Sequence, residues 1–196
     1  MTYHKILNET LTHHGFRFKE GLNVDTVPFN PEGKCRAGGL YFTDKNNIHE
    51  FISYGTLMAD VTLPSNAHVY QEVNKWKADQ IILSNIRTIP LEIYVKAIQR
   101  SGCFLRYVPR AFRTPELCLK AVKQDGYALK HVPRTLRTPE LCLKAVSRCG
   151  CSVEFVPPAL QTPELCLVAV KQNGRALKHL PLSLQTPELC LESNHL

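Results

Sequence analysis

The sequence predicts an α+β head domain followed by an all-α solenoid of 24-residue two-helix repeats. Three observations predict it: a motif that returns every 24 residues through the C-terminal part, short β-branched and aromatic runs bounded by turn signals before it, and a break in charge between the two. Residues 1–85 hold 8 Lys/Arg against 9 Asp/Glu, whereas residues 86–196 hold 16 against 8, so the net charge of +7 belongs to the second part. The domains are accordingly placed at 1–85 and 86–196. With 44% hydrophobic and 21% charged residues the chain has the composition of a folded protein, not a disordered one.

In the head, residues 39–43, 59–63, 68–73 and 78–83 read as strands, separated by turn signals such as Pro64-Ser65-Asn66. Asp44 or Asn46 is expected to cap a helix over residues 47–53, ended by Gly55. Residues 24–36, with two Pro and a Gly, read as a loop. The first residues carry polar side chains where a secretory signal needs an apolar segment. No apolar run approaches the roughly 20 residues of a membrane span. The expectation is a soluble intracellular protein, neither secreted nor membrane-bound.

In the second part, Thr-Pro-Glu-Leu-Cys-Leu begins at Thr114, Thr138, Thr162 and Thr186. A degenerate copy starts near residue 90, full copies near 114, 138 and 162, and a partial one at 186. Gly102, Gly126, Gly150 and Gly174 are in phase, as are Pro109, Pro133, Pro157 and Pro181. Thr114 is an N-cap, Pro115 takes the first helical position, and Glu116 faces the positive end of the helix dipole. Leu117, Cys118, Ala121 and Val122 make an apolar stripe. Gly126 is expected to end the helix by adopting positive φ, and Ala128, Leu129 and Val132 to form a second, shorter helix. Cys118, Cys142, Cys166 and Cys190 share one slot, too far apart for disulfides and suited to a buried helix contact. Ser193 and Asn194 replace apolar residues where the array ends, as a polar cap requires.

The stretch TPELCLKAVKQDGYALKHVP resembles the helical repeats of the DUF4116 type, which implies tandem α-helical units found in proteins of large DNA viruses and some bacteria. HHGFRFKEGLN, CRAGGLYFT and KWKADQIIL resemble the domain that precedes ankyrin-type arrays in giant viruses infecting amoebae. That resemblance implies a viral protein of the host cytoplasm, the viral factory or the nucleus. No Thr-Pro-Leu-His ankyrin signature occurs in this chain. His14-Gly15, Gly21-Leu22 and Gly39-Leu40-Tyr41-Phe42 are also similar to the motifs of ADP-ribosyltransferases. That similarity implies an NAD site in which His14 contacts the ribose and Tyr41 stacks on nicotinamide. Asp79 lies near the place where the family carries its catalytic Glu.

The candidate binding surface is a set of basic slots: Arg110, Arg113, Arg134 and Arg137 in the inter-helix turns, then Lys120 with Lys144, and Lys130 with Lys178. Stacking lines each set into a ladder suited to an acidic partner or a phosphate backbone. In the sequence, aromatics do not interleave with these charges as a single-strand-binding surface requires. Cys149 and Cys151 lack the converging ligands of a zinc site. No cofactor or metal is expected. The reading is a non-enzymatic protein–protein interaction module engaging a host or viral protein. The alternatives are an ADP-ribosyltransferase-like domain and nucleic-acid binding by the basic face.

Overall fold

The computed structural model describes residues 2–31 and 36–193. The chain divides into two compact units, Met1–Ile93 and Tyr94–Leu196.

The first unit is an antiparallel seven-stranded sheet with strand order β4-β9-β6-β1-β5-β8-β7. The strands are β1 (Tyr3–Leu7), β4 (Gly21–Val24), β5 (Leu40–Asp44), β6 (Leu57–Thr62), β7 (Val69–Gln71), β8 (Trp76–Ala78) and β9 (Gln80–Thr88). The four expected runs become strands with shifted ends. Residues 78–83 belong to two of them, because the chain breaks at Asp79 between β8 and β9. The last strand also runs on past residue 85. Two further strands, β2 (Thr12–His13) and β3 (Phe16–Arg17), form a separate hairpin. Its turn is His14-Gly15, with φ of 50° and 80°, the left-handed pair that two-residue hairpins favour.

One face of the sheet carries Leu7, Phe18, Leu40, Phe42, Val61, Trp76, Ile81 and Leu83 as a buried cluster. Tyr3 meets Phe42 and Trp76 edge-on, each at 5.2 Å between ring centres. The expected helix is a 3₁₀ helix, Ile48–Tyr54. Asp44 starts it: its Oδ1 accepts hydrogen bonds from the main-chain N–H groups of Asn46 and Asn47, both at 2.9 Å. Ile48 and Ile52 bury its inner side. Of the expected loop at 24–36, residues 25–31 have no regular structure and residues 32–35 lie outside the described residues.

The second unit repeats one arrangement. The long helices are α1 (Leu91–Arg100), α2 (Pro115–Gln124), α3 (Pro139–Arg148), α4 (Pro163–Gln172) and α5 (Pro187–Ser193). Each of α1 to α4 is followed by a six-residue and a three-residue 3₁₀ helix, as in Gly126–His131 and Arg134–Leu136. Thr114, Thr138 and Thr162 each accept a hydrogen bond at 3.3 Å from the N–H three residues on, which caps the helix start. The stripe is buried as expected: Leu141, Cys142, Ala145 and Val146 in α3, with the matching residues in α2 and α4. The seven described cysteines are all free; Cys118, Cys142 and Cys166 are buried, while Cys149 and Cys151 are both half-buried.

Gly126 acts differently from expectation. It lacks positive φ. It starts the 3₁₀ helix rather than ending the long one, and Asp125 caps that start by accepting from Tyr127 N–H at 2.9 Å. A Cβ on Gly126 would collide with the carbonyl oxygen of Ala145 in the next copy, and Gly102 and Gly150 meet Ala121 and Ala169 in the same way. The repeated glycine therefore sets how closely copies stack. At the end of the array Ser193 Oγ donates to Cys190 O at 2.8 Å, while Asn194 lies outside the described residues.

Candidate functional site

Two places in the molecule offer a surface for binding: a row of exposed side chains on the repeats and a cleft in the head.

On the repeats, the four arginines separate into two kinds. Arg113 donates to Val108 O at 2.9 Å and Arg106 O at 3.2 Å, then reaches into the next copy to His131 O at 2.7 Å. Arg137 repeats this with Val132 O at 3.0 Å, Lys130 O at 3.2 Å and Phe155 O at 2.6 Å. Both guanidinium groups are half-buried clamps between copies, and burial lowers their pKa. In the next two copies Gln161 and Gln185 fill the slot and bond only carbonyls of their own repeat, as Gln161 does with Val156 O at 3.1 Å. Arg110 and Arg134 are exposed, as are Lys120, Lys144, Lys130 and Lys178.

One candidate charge, Lys130, and the neighbouring Arg106 stand beside rings. Lys130 lies 5.8 Å from the centres of both Tyr127 and Phe155, which themselves meet edge-on at 5.0 Å. Arg106 lies 4.8 Å from Tyr107. Only the Phe155 contact joins different copies; Tyr127 and Tyr107 lie within three residues of the charges they meet.

Sequence reasoning missed the second Leu of the motif. Leu143 is 46% exposed, Leu167 38% and Leu191 63%, all in one slot, with Leu119 half-buried in the same slot of α2. Lys120 and Lys144 follow directly in the chain. The signal was available: Thr-Pro-Glu-Leu-Cys-Leu holds two leucines, and only the first falls on the buried stripe.

In the head, a cleft of about 310 Å³ opens beside β1 and β5. His14 and Tyr41 both line it, whereas Asp79 does not. Asp79 is committed to His68: its Oδ1 accepts the main-chain N–H at 2.9 Å, and Oδ2 lies 2.8 Å from Nδ1. The structure thus joins two of the three ADP-ribosyltransferase-like residues and leaves out the carboxylate. The other walls come from residues the sequence did not mark: Lys5, His13, Phe16, Phe18, Phe51 and Tyr54. The rings of His13 and His14 are 4.1 Å apart, and His13 meets Tyr54 at 5.1 Å. Burial holds the His13 pKa at about 4, helped by the nearby Lys5 charge, so its ring is neutral at pH 7. Lys5 is 4% exposed; its Nζ donates to Tyr41 O at 2.6 Å and stands 4.3 Å from the centre of the Phe18 ring. Among the described residues no group of three or more His, Cys, Asp or Glu side chains is placed to hold a metal, and no helix is long and apolar enough to cross a membrane.

Comparison with known proteins finds viral relatives and a family match in the repeats. R229 of Acanthamoeba polyphaga mimivirus, a protein named for ankyrin repeats, is 38% identical over 77 residues, which is 35% of this chain and 25% of that protein. R868 of the same virus, also named for ankyrin repeats, is 33% identical over 88 residues, 41% of this chain and 44% of its own length. Protein R869 of that virus is 38% identical over 87 residues, 41% of this chain and 63% of its own. The chain therefore spans less than two thirds of each of these relatives. No solved structure matches it. The family described as Domain of unknown function (DUF4116) matches residues 91–137 and 138–185. The chain is thus a relative of mimivirus proteins named for ankyrin repeats, with DUF4116 detected twice in tandem in its C-terminal part and no Thr-Pro-Leu-His ankyrin signature.

Proposed function

We propose that this chain is a non-enzymatic interaction module of a giant virus, and that its repeats bind a protein partner, host or viral, through the exposed leucine row. The observation that carries the reading is the second Leu of each motif, held at the surface in the same slot of α3, α4 and α5. Stacked helices lie roughly 8–10 Å apart, so the row is a periodic apolar stripe. An apolar stripe held open to water is a feature of binding surfaces. Lys120 and Lys144 beside it are exposed, and so are Arg110 and Arg134 in the turns, which suits a partner segment with apolar anchors and acidic flanks. The relatives named for ankyrin repeats, another stacked architecture, support a role in protein recognition.

The test is capture from amoebal lysate by the intact protein and by a Leu143→Ser/Leu167→Ser/Lys144→Glu variant. The variant is expected to lose the proteins the intact chain retains. Equal recovery by both contradicts the reading. Arg113 and Arg137 stay untouched in this experiment, since their loss would disturb the stacking itself.

A second reading concerns the head. His14 and Tyr41 share one cleft with aromatic walls, which favours a small-molecule site. With Asp79 bonded to His68 elsewhere, the reading is a nucleotide-binding rather than a group-transferring domain. NAD titrated into the intact protein at millimolar concentration should release heat; none would dismiss this reading.

A further inference from the structure

We propose that Lys5 is a nucleophilic amine that captures an aromatic aldehyde in the head cleft as an imine. The inference rests on the cleft being a ligand site, and not on its taking a dinucleotide.

A buried lysine normally meets a carboxylate. Lys5 does not: its one hydrogen bond is to the Tyr41 carbonyl, and among the described residues no acidic group pairs with it. Asp25, the carboxylate in the cleft wall, already accepts from Gly39 N–H at 2.6 Å and Val27 N–H at 3.1 Å. On the neighbouring hairpin stand His13 and His14. On its own strand His4 is drawn to Asp60, 3.0 Å from Nδ1. From the β5 and β8 side come Tyr41, Lys75, whose Nζ is 4.5 Å from the Tyr41 ring and 3.5 Å from Glu72 Oε2, and Lys77, whose Nζ is 5.7 Å from that ring. Burial pushes the ammonium pKa down to about 7, so much of Lys5 is the free base at neutral pH.

The walls choose the ligand. Phe16, Phe18, Phe51 and Tyr54 suit a flat ring, while Arg36, also lining the cleft, suits an anionic substituent. In the reaction the Nζ lone pair attacks the carbonyl carbon and forms a C–N bond. The carbonyl π electrons pass to oxygen, which takes the proton lost from nitrogen. A second proton shift from nitrogen to that oxygen releases water and leaves C=N. No oxidant or reductant is consumed.

The probe is pyridoxal 5′-phosphate, an aromatic aldehyde with an anionic group, added to the intact protein at about pH 7.5 and fixed with borohydride. Peptide mass spectrometry should find the adduct on Lys5, roughly tenfold above exposed lysines such as Lys130 and Lys178. Lys5→Arg should abolish that adduct. Labelling spread over exposed lysines with Lys5 unmodified would overturn the proposal. Because the variant can fail to fold, the wild-type chain supplies a second reading by competitive acylation across pH. Half-maximal reactivity of Lys5 near pH 7 supports the proposal; a value of about 10, that of an ordinary lysine, overturns it. Heat from NAD without any Lys5 adduct would support the dinucleotide reading and end this one.

Discussion

Lys5 shows how one residue can be costly and useful together. In the unfolded chain it titrates near 10.5, and in the fold near 7. Between those values the unfolded chain holds a proton that the folded chain has released, so stability rises with pH across that window. Below pH 7 the full cost of the buried cation is present. Lys5→Met is therefore expected to raise the melting temperature at neutral pH, by an equivalent of a few kcal/mol at most, with the gain shrinking toward pH 10. Thermal melts of both proteins across that range would check it. Such a gain would mark Lys5 as retained for a role other than stability. Arg137 is the opposite case, a charge that stabilises. Arg137→Gln keeps bonds within the repeat, as Gln161 does naturally, and should cost about 0.5–1.5 kcal/mol for the lost reach to Phe155. Arg137→Glu sets a carboxylate against main-chain carbonyls and should cost clearly more in urea melts.

At the scale of elements, the motif explains both the helix and the stacking. The carboxylates of Glu116, Glu164 and Glu188 bond their own main-chain N–H and the capping Thr, which holds their pKa below the ordinary 4.5. A depressed carboxylate stabilises the fold above its unfolded pKa and loses that contribution as pH falls through the folded one. Melting temperature is thus expected to drop as pH falls from about 5 to 3, and less so in a Glu116→Gln/Glu164→Gln/Glu188→Gln variant. Gly126→Ala forces a methyl into Ala145 O; the expected loss is about 1–3 kcal/mol by denaturant unfolding.

These elements were legible to different degrees. The repeats were open to reading because the same cap, proline and stripe return at fixed spacing, so each copy corroborates the others. β1 was hidden, since Lys5 fills a buried position where alternation calls for an apolar residue. β4 was hidden by inversion: polar Asn23 points inward and bonds Lys19 and Gly21, while Leu22 and Val24 are about half exposed. The glycine's role depends on a neighbouring copy's backbone, and the cleft on strands that pair across long stretches of chain. Neither is a property of local sequence. His14 and Tyr41 were found through motif resemblance; Lys5 and Tyr54 had no such motif to announce them.

In the molecule as a whole, a sheet-based head with a cleft precedes an array with an exposed leucine row. The row, and not the arginine clamps or the head, is the proposed seat of a protein partner. The most direct measurement places a photoreactive amino acid at position 143, at 167 and, as a control, at 73, where Val73 is 90% exposed on the head. After irradiation in lysate, adducts to the same partner are expected from positions 143 and 167 and none from 73. Adducts from 73 alone, or none from 143 and 167, would contradict it.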